Sequence, residues 1–87
     1  MISVFVFINA SNSAAVASLG RSIADVPGVY ECYSVTGEHD VIAVLRVHNH
    51  DEIFGIVAER IAALPGVAST RTVIAYKTYS TADESGF

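Results

Sequence analysis

Val35-Thr36-Gly37-Glu38-His39-Asp40 is a polar turn in the middle of the 87-residue chain. The runs on either side of it, residues 28–36 and 41–48, are rich in β-branched and aromatic residues and are typical of strands. Because the connection is so short, the two strands must be antiparallel, and Gly37 permits the positive φ that such turns often require. Beyond each strand lie one helix-like segment and one more strand, so the turn is the pseudo-symmetric centre of the chain.

An internal repeat supports this symmetry. Residues 23–29, Ile-Ala-Asp-Val-Pro-Gly-Val, recur as residues 61–67, Ile-Ala-Ala-Leu-Pro-Gly-Val. Each copy joins the end of a helix to the start of a strand through a Pro-Gly turn. The chain is therefore two βαβ units, and the order β-α-β-β-α-β predicts a ferredoxin-like α+β fold. Right-handed crossovers would place both helices on one face of a four-stranded antiparallel sheet.

Both predicted helices combine a polar start with an apolar stripe. Side-chain oxygens at residues 11–13 can cap the first helix, and Asn49 with Glu52 resembles a capping box for the second. The stripes recur at spacings of three and four residues, as Val16, Leu19, Ile23 and Val26, and as Ile53, Val57, Ile61 and Leu64. With further strands at residues 2–9 and 67–78, we expect one domain over residues 1–78 and a loosely held polar tail at residues 79–87.

The composition predicts self-association. The chain is 52% hydrophobic and 16% charged, with a mean hydropathy of +0.46, which is more apolar surface than a small monomer easily hides. Two helices cover only one face of the sheet, yet the strands carry apolar residues on both faces. Whichever set points away from the helices needs a partner, most simply the same face of a second copy. The apolar strand residues considered for that contact are Phe5, Phe7, Ile42 and Val44, and the sequence leaves open which of them point away from the helices.

Charge and hydropathy exclude several classes of partner. The net charge is −4 and the five basic residues are scattered, so direct binding to nucleic acid is not expected. No apolar run approaches 18 residues, and Met1 leads into a strand-like segment instead of a basic signal-peptide start. We therefore expect a cytoplasmic protein with no membrane contact.

Metal and cofactor sites are not predicted. His48 and His50, with Asp51 adjacent, are residue types that bind metals. The two histidines end a strand, however, and no further residue near them in sequence completes a metal site. Cys32 is the only cysteine, which excludes an intramolecular disulfide and a cysteine-based zinc site. No glycine-rich phosphate-binding loop occurs either.

Two alternatives to a binding module remain open on the residues alone. Ser34, His39 and Asp40 contain the residue types of a hydrolytic triad, but they lack the spacing of a nucleophile elbow. A small enzyme of the dimeric α+β barrel type, such as a cofactor-free monooxygenase or isomerase, would use His39 or His48 as a general base. A purely structural oligomerisation module would leave the polar turn as a subunit contact.

The last predicted strand holds an unusual polar run, Ser69-Thr70-Arg71-Thr72. Threonine is common in strands, and a charged arginine at a sheet edge disfavours pairing with another chain. An edge strand therefore accounts for the run. Three hydroxyls and a guanidinium are also suited to meet a carboxylate.

Four motifs in a fixed order resemble the effector domain (the ligand-binding, or RAM, domain) of the Lrp/AsnC family. They are Pro27-Gly28-Val29, the central turn with its Val-Thr-Gly-x-x-Asp pattern, Pro65-Gly66-Val67, and Thr70-x-Thr72, and the resemblance covers about residues 2–78. It implies a ferredoxin-like domain that dimerises through its sheets and assembles into octameric rings of four dimers. It also implies amino-acid effectors held between subunits. Matched by position, the ligand-binding residues would be Thr36, Gly37, Glu38, His39, Asp40, Thr70 and Thr72.

Two departures from the family pattern affect what we expect. His39 stands where the family commonly has a tyrosine, which affects ligand preference. The chain starts directly at the first strand, so it resembles the stand-alone effector domains that lack a helix-turn-helix. The leading hypothesis is a non-enzymatic, homo-oligomeric module that binds an amino acid and modulates transcription by mixing into assemblies of full-length regulators. In it Asp40 pairs with the ligand ammonium, while the Thr36-Gly37 backbone and the Thr70 and Thr72 hydroxyls bind its carboxylate.

Overall fold

Strands and helices follow one another as β-α-β-β-α-β in the computed structural model, which describes residues 1–81. The strands are β1 (Ile2–Ala10), β2 (Val29–Ser34), β3 (Val41–Val47) and β4 (Val67–Ile74). A 3₁₀ turn at Ser13–Ala15 leads into α1 (Val16–Ala24), and α2 (Asp51–Phe54) continues as a π-helix at Gly55–Ile61. The predicted ferredoxin-like fold is confirmed. Of the predicted tail, residues 82–87 lie outside the described residues.

The four strands form one antiparallel sheet in the order β2-β3-β1-β4. β1 lies in the centre, where Ile8 pairs with Val41 of β3 on one side and with Thr70 of β4 on the other. The two strands that follow the helices, β2 and β4, are the edges of the sheet. No helix of the described residues is long and apolar enough to cross a membrane.

The core lies between the sheet and the helices, and among residues 1–81 it contains only apolar side chains. Alternate residues of the two central strands point into it, because successive side chains of a strand face opposite sides. These are Val4, Val6 and Ile8 of β1 and Val41, Ala43, Leu45 and Val47 of β3. The helices contribute Leu19, Ile23, Ile53, Ile56, Val57 and Ile61, so both predicted stripes face the sheet, and Leu64 packs against the core.

Both edge strands end earlier than predicted. β4 stops at Ile74 and not at residue 78, because β1, its neighbour among the described strands, begins at Ile2. The pairing ends where the Ala75 N–H donates to the Ser3 carbonyl at 3.0 Å. β2 stops at Ser34 and not at residue 36, since the Val35 N–H already closes the turn by donating to the Asp40 carbonyl at 2.9 Å.

The second helix is wider than a regular α-helix for most of its length. The Ala62 N–H donates to the Val57 carbonyl at 2.8 Å, a step of five residues where an α-helix takes four. The predicted capping box is formed on its glutamate side. Glu52 Oε2 accepts from the N–H groups of His48 at 2.9 Å and Asn49 at 3.0 Å, which satisfies two donors at the start of the helix.

Candidate functional site

Asp40 fastens the central turn to the end of β1. Its Oδ2 accepts a hydrogen bond from the Ala10 N–H at 2.7 Å, and its own N–H donates to the Ile8 carbonyl at 3.0 Å. Hydrogen bonds to an ionised acceptor are shorter and stronger than neutral ones. One carboxylate oxygen of Asp40 therefore has a structural role, which motif matching alone did not indicate.

His39 lies beside the turn on the sheet face that the helices leave open. Its ring contacts Phe7 at 5.0 Å between centroids, and its Nδ1 is 3.2 Å from Asn9 Oδ1. Asn9 in turn donates from Nδ2 to Ser69 Oγ at 3.3 Å. With Asn9 Oδ1 as the acceptor in this contact, His39 Nδ1 is the donor, and Nε2 takes no part in it. The contact with Asn9 also leaves the Ser69 hydroxyl able to donate to a ligand or a partner.

Among the residues linked by these contacts, Asn9 is the one that the sequence analysis did not single out. It occupies an open-face position at the end of β1, two residues after Phe7. The sequence did show a polar side chain at this position of an otherwise apolar strand. Its contact with Ser69 could not be predicted, because that contact depends on the register between β1 and β4, which pairs Asn9 with Ser69.

The tip of the turn is exposed. Thr36, Gly37 and Glu38 all face solvent in the single chain. Gly37 has a φ of +120°, as predicted, and a Cβ at that position would have no atom within 4 Å. The space beside the tip is open to a ligand or to another subunit.

Thr70 and Thr72 point to the other face of the sheet. Their partners in the register are Ile8 and Val6, both of which are buried under the helices. Thr72 also lines an apolar groove of about 360 Å³ between β4 and the second helix, beside Phe54 and Ile74. A single chain thus places the two threonines and His39 on opposite faces and does not bring the seven predicted ligand-binding residues into one pocket.

Two rows of side chains on the open sheet face cross all four strands. One row is Glu31, Val44, Phe5 and Val73, and the other is Tyr33, Ile42, Phe7 and Arg71. Phe5, Phe7, Ile42 and Val44, whose orientation the sequence left open, all lie at the centre of these rows and point away from the helices. The ends of the rows are more exposed, with Tyr33 at 49% and Val73 at 44%.

The other candidate chemistries find little support among residues 1–81. No group of three histidine, cysteine or acidic side chains there is placed to hold a metal ion. Ser34 pairs with the buried Val41 and lies on the helix-covered face, so it cannot form a triad with His39 on the opposite face. Burial raises the pKa of the Cys32 thiol above its ordinary value, which disfavours the thiolate form that acts as a nucleophile.

Comparisons with known proteins agree with this architecture. The family model described as the Lrp/AsnC ligand binding domain matches residues 3–84. An HTH-type transcriptional regulator of Pyrococcus furiosus is 37% identical over 60 residues, which is 69% of this chain and 40% of the regulator. The chain thus spans well under half of that relative's length.

Two solved structures show the same fold. The crystal structure of TTHA0845 from Thermus thermophilus is 39% identical, with a TM-score of 0.85 over 92% of this chain and 99% of that one. The feast or famine regulatory protein of Mycobacterium tuberculosis, complexed with L-methionine, is 27% identical, with a TM-score of 0.72 over 93% of this chain and 54% of that one. The match to the family model covers nearly the whole chain, and the chain therefore belongs to the Lrp/AsnC ligand-binding domain family.

Proposed function

We propose that this chain is a non-enzymatic regulatory module that binds an amino acid and assembles with further copies of itself through the open sheet face. The observation that carries the proposal is the contact of 5.0 Å between His39 in the turn and Phe7 in the apolar face. Because the turn and the apolar sheet face adjoin each other, a second subunit that covers the face also lies beside the turn. Ligand binding and assembly would then influence each other.

The ligand site we propose comprises Thr36, Gly37, Glu38, His39, Asp40, Thr70 and Thr72. Asp40 uses one oxygen for Ala10 and would offer the other to the ligand ammonium. The Thr36-Gly37 backbone and the two threonine hydroxyls would bind the carboxylate. Since the threonines lie on the opposite sheet face from His39, a complete site requires a neighbouring subunit to bring a second set of these groups to the turn.

The L-methionine complex of the M. tuberculosis relative supports an amino acid as the ligand. The names of the regulators that the chain resembles support a role in transcription, and they offer no support for the enzyme alternative. With net charge −4, this chain would act through full-length Lrp/AsnC-type regulators and not through DNA directly. A cytoplasmic location and an octameric ring remain predictions.

Thermal-shift screening against the twenty amino acids tests the ligand. A specific ligand at a hundred times its dissociation constant stabilises the folded state by about 2.7 kcal/mol. Sedimentation at micromolar concentration, with and without the ligand that is found, tests assembly. Stabilisation by no amino acid would contradict the ligand class, whereas a well-folded monomer would contradict the assembly. A gel-shift assay at about 0.15 M salt should show no duplex DNA complex with the protein alone.

A further inference from the structure

Two side chains connect His39 to the last strand across the open sheet face. Asn9 Oδ1 lies 3.2 Å from His39 Nδ1, and Asn9 Nδ2 donates to Ser69 Oγ at 3.3 Å. The register places Asn9 opposite Ser69, so the two contacts bridge the turn, β1 and β4. The ligand site proposed above contains His39 and neither of the other two residues. We call His39, Asn9 and Ser69 the polar link.

The polar link bears on which ring nitrogen of His39 carries the proton. An amide oxygen has no proton to give, so with Asn9 Oδ1 as the acceptor the donor is Nδ1–H of His39. In a neutral imidazole that is protonated at Nδ1, the other nitrogen, Nε2, is a hydrogen-bond acceptor. The ring is also held from its side, because it packs against Phe7 at 5.0 Å between centroids.

His39 Nε2 is within reach of a ligand. Among residues 1–81, no buried side-chain nitrogen or oxygen lacks a hydrogen-bond partner. His39 is half-buried, and its side-chain hydrogen bond within these residues is made by Nδ1. Nε2 must therefore lie where water can reach it. The tip of the turn is open as well, since a Cβ on Gly37 would meet nothing within 4 Å. A ligand bound beside the turn would thus meet Nε2 as an acceptor without a partner.

An acceptor without a partner discriminates between ligands. A site that hydrogen-bonds one group of a ligand rejects an analogue without that group, because the acceptor then stays unpaired after water is displaced. We propose that Asn9 and Ser69 are positioning residues that hold His39 with Nε2 as an acceptor, so that the site selects amino acids whose neutral side chain donates a hydrogen bond. Hydroxyl and amide side chains belong to this class, and purely apolar ones do not. The inference rests on the amino-acid site proposed above and specifies its ligand class.

The position of the proton on His39 can be measured without a ligand. Long-range proton–nitrogen correlation spectra at about pH 8, where an ordinary imidazole is neutral, distinguish the protonated ring nitrogen from the bare one. We expect the proton on Nδ1 in the wild type. Asn9→Leu should lose this preference, whereas Asn9→Asp, whose carboxylate also accepts from Nδ1–H, should keep it. A wild-type ring protonated on Nε2 would overturn the inference.

Calorimetry at the same pH measures ligand selection on two matched pairs of amino acids. Threonine and valine have nearly the same shape, as do glutamine and methionine, and only the first member of each pair donates from its side chain. We expect the wild type to bind the donor of at least one pair about tenfold more tightly than its apolar counterpart. Methionine sulfoxide, whose side-chain oxygen accepts but cannot donate, should gain nothing over methionine. A gain for the sulfoxide would indicate a donor at Nε2 and contradict the inference.

Variants show whether the selection passes through His39. Asn9→Leu should reduce the preference for the donor to less than about twofold, whereas Asn9→Asp should keep it and Ser69→Ala should weaken it in part. His39→Phe should lose the preference as Asn9→Leu does, and combining the two should lose no more, because the residues act as one unit. Ser3→Leu puts the same apolar side chain on the open face at the other end of β1, and this matched control should keep the preference.

The outcomes separate this inference from the proposal on which it rests. Binding of no amino acid would overturn the proposed ligand class and this selectivity with it. Equal affinities within each pair, or a preference that survives Asn9→Leu, would overturn the inference alone and leave the proposed site standing. Circular dichroism of each variant, matching the wild type, ensures that a lost preference reflects the contact and not unfolding.

Discussion

At the scale of single residues, Asp40 combines a structural contact with a proposed ligand contact. Replacing it by alanine would leave the Ala10 N–H without its acceptor, which costs about 1–3 kcal/mol for a buried donor. Loss of ligand binding in Asp40→Ala would then be hard to separate from loss of the turn. Asparagine keeps an oxygen for Ala10 and removes only the charge, so it is the sharper substitution.

We expect Asp40→Asn to keep the fold and to weaken amino-acid binding by two or more decades. The physical reason is that the ligand ammonium loses its charged partner, and breaking a buried ion pair costs about 3–5 kcal/mol. Calorimetry with the amino acid that stabilises the parent measures the effect. Unchanged affinity in a folded Asp40→Asn variant would remove this carboxylate from the site. Asp40→Ala, run beside it, reports the additional cost of the lost backbone contact.

The glycines of two turns allow a matched test of backbone strain against packing. Gly28 and Gly37 both have positive φ, at +102° and +120°. A Cβ on Gly28 would collide with Ile56 of the second helix, whereas one on Gly37 would meet nothing within 4 Å. We expect Gly37→Ala to cost about 1–3 kcal/mol from strain alone, and Gly28→Ala to cost more. Denaturant unfolding measures both. Equal losses would show that Ile56 moves aside without penalty.

At the scale of elements, Glu52 is the residue on which the start of the second helix depends. Its carboxylate accepts from two N–H groups, and removing such a cap costs about 0.5–2 kcal/mol. Glu52→Ala should lower the free energy of unfolding by that amount. Glu59→Ala, an exposed glutamate farther along the same helix, should change it by less than about 0.5 kcal/mol. The pair is compared by urea unfolding, and similar losses in both would argue against a capping role.

Patterns within one element could be predicted from the sequence, whereas pairings between elements could not. The Pro-Gly repeat and the apolar stripes gave the element order, and Gly37 gave the positive φ of the turn. The end of β4 depends on where β1 begins, and the spacing of the apolar stripe did not indicate the π-helical turns of the second helix. The candidate site shows the same limit. Motif matching grouped Thr70 with His39, but the register with β1 places them on opposite faces.

At the scale of the whole molecule, the open sheet face should control assembly. An aspartate in place of Phe7 would put an unpaired charge into the proposed interface, at a cost of several kcal/mol. We expect Phe7→Asp to sediment as a monomer, or to be insoluble, at concentrations where the wild type is at least a dimer. The matched control is Phe54→Asp, which changes a phenylalanine that is 69% exposed on the second helix and lies away from this face. Dissociation in the control alone would place the contact elsewhere.

The central position of β1 also affects how the chain folds. β1 is synthesised before both of its partners, residues 41–47 and 67–74, so it emerges with both edges unpaired. Of the four described strands, β2 and β3 alone pair as neighbours in sequence, and their hairpin is expected to form first. Insertion of β1 beside that hairpin, followed by β4, closes distant loops, and such topologies fold in roughly milliseconds to seconds. Stopped-flow refolding should therefore be slowed more by Cys32→Ala in the hairpin than by Val6→Ala in β1, once each rate is scaled to the stability lost.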